Sequence, residues 1–312
     1  MSTTARFVRN AAFALGCVGA IGLSHRANAD TILGTAENFA VLGGSTVTNT
    51  GATTIYGNVG VDPGSAITGA GTISLTGTTY AADAVAGQAQ TDETNAYNIL
   101  ASLTSTHNLT GENLGGQTLT AGVYSFASSA QLTGTLTLNS AGASNEDIVI
   151  QTVSTLTTAS NAKVIVEGGN ATDGVFFKVG STATLGSGTV FEGNILALDS
   201  VIFDSSAEIL CGRALAQTAG VTMIGNTISN NCAGAGSLGS GVNDHGSVGY
   251  SGGNFVNAGY TGGGFNGVPS GGTVSVPEID AASAASGLTL LLGSLLVLRG
   301  RLRVRPSRSS LA

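Results

Sequence analysis

The chain has 312 residues, of which 48 are Gly and none is Trp; only 9% are charged, whereas 42% are hydrophobic. This hydrophobic content argues against a disordered protein, and Gly without a three-residue period argues against collagen. Between Asp30 and Leu298, three basic residues stand against all 18 acidic ones, so this segment repels phosphate and no nucleic-acid binding is expected.

The first 29 residues have the features of a secretory signal peptide. Arg6 and Arg9 precede an apolar run over residues 11–23, and positions 27–29 offer small residues for cleavage. Cleavage there by signal peptidase leaves Asp30 as the first mature residue. The protein is then secreted or held at the cell surface by the general secretory route; a short membrane anchor is the alternative.

Residues 30–232 are predicted to form one domain of short strands interrupted by a helix. Residues 39–42, 46–48 and 53–59 are strand-like and are separated by Gly and Asn-Thr pairs. From Thr79 to Leu103, apolar residues recur at helical spacing with one Gly and no Pro, which predicts one long helix over about residues 79–103. We expect Thr79 to cap this helix and its small residues to pack against a flat strand surface.

Four segments in the C-terminal half repeat without gaps. They begin at Ser154, Ser181, Asp199 and Thr218, at offsets of 27, 18 and 19 residues. When the four segments are aligned, the last position is apolar in each: Val164, Phe191, Ile209 and Ile228. Periods near 20 with short strands are typical of a β-solenoid, in which each coil buries its apolar side chains against its neighbours. The sequence therefore predicts an all-β solenoid with one long flanking α-helix.

Two cysteines, Cys211 and Cys232, remain after the signal peptide. An even number in an exported protein predicts a disulfide, which would close a loop of about 20 residues and stabilise the fold by roughly 3 kcal/mol. Two free buried thiols are the alternative. Neither cysteine has a CxxC partner, and His107 and His245 lie in unrelated segments, so no metal site and no cofactor are expected.

The C-terminal 80 or so residues have the composition of a linker and a targeting segment. Residues 233–275 are Gly-rich with spaced aromatics, which is typical of a flexible linker. Apolar residues 281–298 then precede a basic tail that ends at residue 312, and a stretch of this length can just span a bilayer with its arginines on the cytoplasmic side. The short motif before the apolar stretch consists of Val276, Pro277, Glu278, Ile279 and Asp280.

This order of motif, apolar helix and basic end over residues 276–312 resembles the PEP-CTERM class of sorting signals, in its VPEID variant. The resemblance implies transient anchoring in the inner membrane and processing near Pro277 by an exosortase-type enzyme. A plain tail anchor is the alternative.

Several motifs of the central domain resemble the microbial ice-binding (antifreeze) protein family. They are residues 33–44 (LGTAENFAVLGG), 57–61 (GNVGV), 119–124 (LTAGVY), 191–197 (FEGNILA) and 212–218 (GRALAQT). The resemblance implies a right-handed β-helix of triangular section, with the N-terminal strands inserted beside the last coils and the helix lying between the two halves of the chain. It also implies binding to ice crystals through a flat face, without catalysis. We expect a monomer.

Threonine suits such a face because its β-branched side chain has few rotamers, its methyl group orders nearby water and its hydroxyl can join that water. On a solenoid, outward side chains form a grid with about 4.7–4.9 Å between strands and about 6.6 Å between alternate residues. Because Thr is favoured on any exposed strand, the sequence alone does not choose among three faces. The candidate positions in the repeat are Thr155, Thr157, Thr182, Thr184 and Ser200.

Some members of the family carry a Thr-(Ala/Gly)-X-(Thr/Asn) motif on the ice-binding face. Two segments match it and add Thr50, Thr53, Thr158 and Asn161 as candidates. The corresponding residues 185–188 and 203–206 depart from the motif. We therefore expect moderate rather than very high activity.

Two other classes of function remain open. A polysaccharide-degrading β-helix enzyme requires paired carboxylates at a cleft, and Glu192, Asp199, Asp204 and Glu208 lie near one another in sequence, although the absence of His or Arg beside them favours solvated surface. A biofilm matrix or adhesion protein, with extracellular polysaccharide as its partner, is favoured by the sorting tail and the linker, and is compatible with adhesion to ice.

Overall fold

A computed structural model describes residues 32–140, 147–168 and 173–230, and the backbone of residues 250, 251, 254 and 255. The predicted signal peptide, nearly all of the linker, the sorting signal and Cys232 lie outside these residues. Within the described ranges, no helix has both the length and the apolarity needed to cross a bilayer.

The N-terminal part of the domain consists of short strands and two 3-10 helices, η1 (Gly34–Asn38) and η2 (Ala70–Thr72). In the strand from Thr46 to Thr50, buried side chains alternate with more exposed ones, as expected for a strand with one face on the core. The seven strands are β1 (Phe39–Gly43), β2 (Thr46–Thr50), β3 (Thr53–Tyr56), β4 (Asn58–Val61), β5 (Ala66–Thr68), β6 (Ile73–Leu75) and β7 (Thr79–Ala81).

The predicted helix is present but begins five residues later than expected. Helix α1 spans Ala84–Ser102, and its N-cap is Asp83, whose Oδ1 accepts hydrogen bonds from the backbone amides of Val85 (3.0 Å) and Ala86 (2.9 Å). Thr79 does not cap it, because Thr79 lies in β7, which pairs in parallel with β4. The pairing of β7 with β4 thus decides the start of the helix.

The C-terminal part returns to strands, two of which are long. Its strands are β8 (His107–Asn108), β9 (Thr118–Leu119), β10 (Gly122–Phe126), β11 (Ala130–Leu132), β12 (Thr135–Asn139), β13 (Ile148–Thr152), β14 (Leu156–Thr158), β15 (Lys163–Glu167), β16 (Val175–Val179), β17 (Ala183–Leu185), β18 (Val190–Ala197), β19 (Val201–Phe203), β20 (Glu208–Ala216), β21 (Gly220–Ile224) and β22 (Thr227–Ser229). A separate antiparallel pair consists of β23 (Tyr250–Ser251) and β24 (Asn254–Phe255).

Parallel pairing arranges the strands of the domain in three rows, and the complete coils of the chain contribute to all three. Row 1 contains β8, β10, β13, β16, the ends of β18 and β20, β1, β4 and β7. Row 2 contains β11, β14, β17, β19, β21, β2 and β5. Row 3 contains β9, β12, β15, the starts of β18 and β20, β22, β3 and β6. This is the mostly parallel β-solenoid with one helix that the sequence predicted.

The coils do not stack in sequence order. The last C-terminal strands pair with the first N-terminal ones: β20 with β1, β21 with β2 and β22 with β3. The stack therefore runs from residue 107 to residue 229 and continues with residues 39–81. Helix α1 connects the two ends of this stack, as the family resemblance implied.

Within the described ranges, the buried hydrophobic side chains form two clusters. The larger cluster fills the space enclosed by the three rows, and the smaller one lies between row 1 and α1. The apolar column of the repeat is fully buried in row 3, where Val164, Phe191, Ile209 and Ile228 have no exposed surface. Leu42, Leu196 and Leu215, neighbours across row 1, belong to the smaller cluster together with Ala89, Ala96 and Leu100 of the helix.

The corner between rows 2 and 3 is built from residues in the left-handed region of backbone conformation. Glycine adopts it freely, whereas a residue with a Cβ atom is strained there. Two of the corner residues are not glycine: Asn161 (φ 58°) and Ser206 (φ 59°). Glycines with positive φ lie at the same corner of other coils: Gly51, Gly69, Gly134, Gly188 and Gly225.

Candidate functional site

Row 2 presents a column of threonines. In six of its seven strands the middle side chain points outward while its two neighbours point into the core, as the burial pattern shows for Leu156, Thr157 and Thr158. In the seventh strand, β5, the exposed residues are the two at its ends. Parallel pairing places these outward residues in register from strand to strand. The column consists of Gln131, Thr157, Thr184, Ile202, Thr222, Thr48 and Thr68.

A second outward column runs two residues earlier along the same strands. It is fixed by backbone hydrogen bonds between neighbouring strands, such as those from Leu156 N to Thr182 O (3.1 Å) and from Ala183 N to Ser200 O (2.9 Å). The column consists of Ser129, Thr155, Thr182, Ser200, Gly220, Thr46 and Ala66. We call the two columns together the row-2 grid.

The row-2 grid contains no ionisable side chain. Row 3 differs, because its outward column places Lys163 and Glu208 on either side of Val190. Row 1 differs again, because α1 packs against it. Every residue of the row-2 grid is partly or fully exposed, so nothing in the described part of the chain covers it. Row 2 is thus the uncharged and uncovered row.

The grid rests on tightly packed interior side chains. Leu185, Phe203 and Val221, which point inward from three of its strands, have no exposed surface. The hydroxyl of Thr158 is also turned inward, lies 2.7 Å from the hydroxyl of Thr189 and accepts a hydrogen bond from Gly186 N (2.9 Å). Because paired strands and buried side chains in a close-packed interior support the grid, the outward side chains are held at fixed spacings.

The structure brings together five of the candidates that the sequence analysis selected. Thr157 and Thr184 lie in the first column of the row-2 grid, and Thr155, Thr182 and Ser200 lie in the second. They are direct neighbours across β14, β17 and β19.

The four candidates from the Thr-(Ala/Gly)-X-(Thr/Asn) motif lie elsewhere. Thr50 is exposed at the end of β2, beside the grid. Thr53 and Thr158 are 1% and 3% exposed, and Thr53 donates its hydroxyl proton to Asn49 Oδ1 (2.6 Å), so neither hydroxyl faces solvent. Asn161 is an exposed corner residue. For Thr53 and Thr158 the expectation of a surface position is wrong, because both matches to the motif span the corner between rows 2 and 3.

Four threonines of the grid were not among the candidates: Thr46, Thr48, Thr68 and Thr222. The alternation Thr46-Val47-Thr48 was visible in the sequence, but its place beside Thr222 depends on pairing between strands about 170 residues apart. The insertion of the N-terminal strands next to β21 therefore extends the grid beyond the repeated segments.

The carboxylates of the enzyme hypothesis do not converge on a cleft. Glu192 is buried and its Oε2 accepts a hydrogen bond from Val166 N (2.7 Å), whereas Asp199 lies at the corner between rows 1 and 2 and accepts one from the Ser181 hydroxyl (2.8 Å). Glu208 points outward from row 3, and Asp204 follows β19 of row 2. Across the described ranges, no three His, Cys, Asp or Glu side chains are grouped so that they could hold a metal ion. Cys211 is fully buried in β20, and its predicted disulfide with Cys232 stays a prediction.

A family model and the known proteins similar to this chain carry the same description. A family model described as Ice-binding-like matches residues 41–229. An ice-binding protein of Nostoc sp. (strain HG1) is 55% identical over 202 residues, which cover 65% of this chain and 75% of that protein. An ice-binding protein of Flavobacterium frigoris (strain PS1) is 31% identical over 214 residues, or 63% of this chain and 75% of that protein.

Solved structures agree with this match. The crystal structure of an ice-binding protein from an Antarctic biological consortium is 43% identical, with a TM-score of 0.61, and the match covers 65% of this chain and 91% of that one. The ice-binding protein of the Antarctic ascomycete Antarctomyces psychrotrophicus is 36% identical with a TM-score of 0.61, and the match covers 64% and 98% of the two chains.

Proposed function

Because this chain belongs to the ice-binding protein family, we propose that it adsorbs to ice through the row-2 grid and so inhibits ice growth and recrystallisation. The observation that carries this proposal is the register of the grid. Seven strands present two columns of side chains, mostly threonine and none ionisable, on the row that no described element covers. At about 4.7–4.9 Å per strand, the seven rungs span about 29 Å.

The chemistry of the grid suits a solid made of water. Threonine methyl groups order nearby water, and threonine hydroxyls donate and accept hydrogen bonds within that water. A charged side chain would instead hold its own hydration shell, and leaving it on ice without that shell is unfavourable. Since the packed interior already fixes the positions of the grid, adsorption orders few further groups, and many weak contacts add up to stable binding. Ice between adsorbed molecules is then forced to grow with a curved front, which halts growth.

Interruptions in the grid support the expectation of moderate activity. Ile202 replaces a threonine in the first column, and Gly220 and Ala66 leave gaps in the second. Runs of adjacent threonines therefore stay short on both sides of β19.

The remaining features of the secreted form are part of the same proposal. We propose that residues 1–29 direct export and are removed by signal peptidase, and that the exported protein forms a right-handed solenoid of triangular section with a disulfide between Cys211 and Cys232. The motif at residues 276–280, the apolar stretch 281–298 and the basic tail support processing by an exosortase-type enzyme, and with it a role at the cell surface. Adhesion of cells or matrix to ice is the second candidate role, favoured by this tail.

Partitioning into ice tests the proposal directly. A polycrystalline ice hemisphere is grown slowly from a dilute solution of the purified protein, and the protein in the ice is compared with that in the liquid. We expect enrichment in the ice and, in separate experiments, faceted crystals and suppressed grain coarsening. Exclusion from the ice together with round crystals at high protein concentration would disprove the proposed function.

A further inference from the structure

Helix α1 buries a carboxyl group that has no partner. The face of α1 that packs on row 1 is otherwise formed mainly by small or apolar residues such as Ala89, Ala96 and Leu100, yet Glu93 lies in its middle with no exposed surface. Both carboxyl oxygens of Glu93 lack a hydrogen-bond partner, and so does the buried amide nitrogen of Gln217. An ionised carboxylate in such a place has lost its hydration without compensation, so the neutral acid is strongly favoured.

Among the described residues, none of the charged and titratable groups around this site forms an ion pair that would compensate a negative charge on Glu93. Lys178 of β16 places its Nζ 4.6 Å from the ring centroid of Tyr97, one turn further along the helix, so its charge lies over an aromatic face. Burial lowers the pKa of Lys178. The pKa of Tyr97 is raised to about 12, first by burial and then by the nearby charges of Glu93 and Asp199. Tyr97 therefore stays protonated, and Asp199, at the corner that follows β18, is an acidic group in this region.

Burial raises the pKa of Glu93 from 4.5 to about 8, and this outweighs the opposing effect of the neighbouring side chain of Gln217. The docked helix thus binds a proton that a solvated Glu93 would release. A group with a raised pKa stabilises its docked state fully at pH values below 4.5, and this stabilisation is lost as the pH rises towards 8.

The strands beneath the helix are joined without it. Neighbouring strands of row 1 are hydrogen-bonded to one another through backbone groups, whereas α1 is held by the smaller hydrophobic cluster and by hydrogen bonds of side chains. Gln151 donates to the carbonyls of Leu100 (2.6 Å) and Leu103 (3.0 Å), and Gln90 donates to that of Ala216 (3.1 Å). An element held in this way can open locally while the rest of the fold persists.

We propose that helix α1 is a proton-dependent clamp: it stays docked on row 1 while Glu93 is protonated, and it opens more often as Glu93 loses its proton, while the coils remain paired. Opening uncovers an apolar strip of row 1 that includes Leu42, Leu196 and Leu215. The clamp lies on row 1 and α1, so it is independent of the row-2 grid and of binding to ice.

Hydrogen exchange of the full chain, corrected for intrinsic rates, tests the clamp between pH 5 and pH 8. A single proton released on opening raises the opening equilibrium of residues 84–102 by up to tenfold per pH unit. We expect a rise on the order of several hundredfold over this range in α1, while β13 and β16 keep their protection. In Glu93→Gln, which removes ionisation and keeps the shape, the opening of α1 should not change with pH.

Matched variants and a direct titration make the test decisive. Glu112→Gln removes an exposed acid away from the helix and should behave like the wild type, and Lys178→Met should keep the pH dependence. The carboxyl carbon of Glu93 in the wild type should titrate near pH 8 by NMR. Titration near pH 4.5, a pH dependence that survives in Glu93→Gln or disappears in Lys178→Met, or equal loss of protection in β13 and β16 would overturn the proposal.

Discussion

Truncating a buried side chain beneath the row-2 grid should weaken ice binding more than truncating an equally buried side chain elsewhere in the domain. Phe203 points inward from β19, has no exposed surface and lies next to the outward residue Ile202. Phe203→Ala leaves a cavity directly under the middle of the grid. Phe176→Ala is the matched control, since Phe176 is equally buried but belongs to the cluster between row 1 and α1.

Both truncations should cost similar amounts of stability. A buried Phe→Ala change destabilises by about 3–5 kcal/mol, through lost burial and the cavity that remains. For a domain of this size that corresponds to a fall in Tm of about 6–20 °C. Because assays of ice growth run near 0 °C, both variants should be folded under assay conditions, and circular dichroism at that temperature checks this directly.

The expected difference lies in ice activity. In Phe203→Ala, β19 can shift into the cavity and the grid loses its fixed spacing, so thermal hysteresis at equal concentration should fall severalfold. In Phe176→Ala the grid keeps its support, and thermal hysteresis should remain near that of the wild type. Equal thermal hysteresis in the two folded variants would refute the reasoning that stiffness of the grid determines activity.

Three further predictions concern stability. Asp83→Ala removes the N-cap of α1 and should cost about 1 kcal/mol, seen as weaker helical ellipticity and faster exchange of the Val85 amide; an unchanged helix would contradict the cap. Ser206→Gly should raise stability by about 0.5–1 kcal/mol in urea unfolding, because the left-handed conformation costs serine more than glycine; a loss of stability would show that the serine side chain is needed. Reduction of the proposed Cys211–Cys232 disulfide should cost roughly 3 kcal/mol, and free thiols in the unreduced protein would exclude it.

The repeat made much of the fold predictable. An apolar residue that recurs in one column has to be buried when coils stack, and Val164, Phe191, Ile209 and Ile228 are indeed buried side by side. Likewise, Thr155, Thr157, Thr182 and Thr184 alternate with apolar neighbours, so their outward position followed from the twofold period of a strand. These conclusions needed only short-range patterns.

Other features depend on contacts between distant parts of the chain. Thr79 looked like a helix cap, but pairing with β4 draws it into a strand, and Asp83 caps the helix instead. Thr53 and Thr158 matched a surface motif, yet the chain turns a corner there and points their hydroxyls inward. Glu93 has the spacing of a core residue and the chemistry of a surface residue, and the sequence alone could not show which property prevails.

A single pair of variants tests the proposed ice-binding surface most directly. Thr184→Tyr places a bulky side chain in the first column of the row-2 grid, and Thr227→Tyr places the same side chain in the outward column of row 3, at a position of similar exposure. With unchanged Tm in both, thermal hysteresis should fall severalfold in Thr184→Tyr and stay at the wild-type value in Thr227→Tyr. Full activity in Thr184→Tyr, or a loss confined to Thr227→Tyr, would contradict docking through row 2.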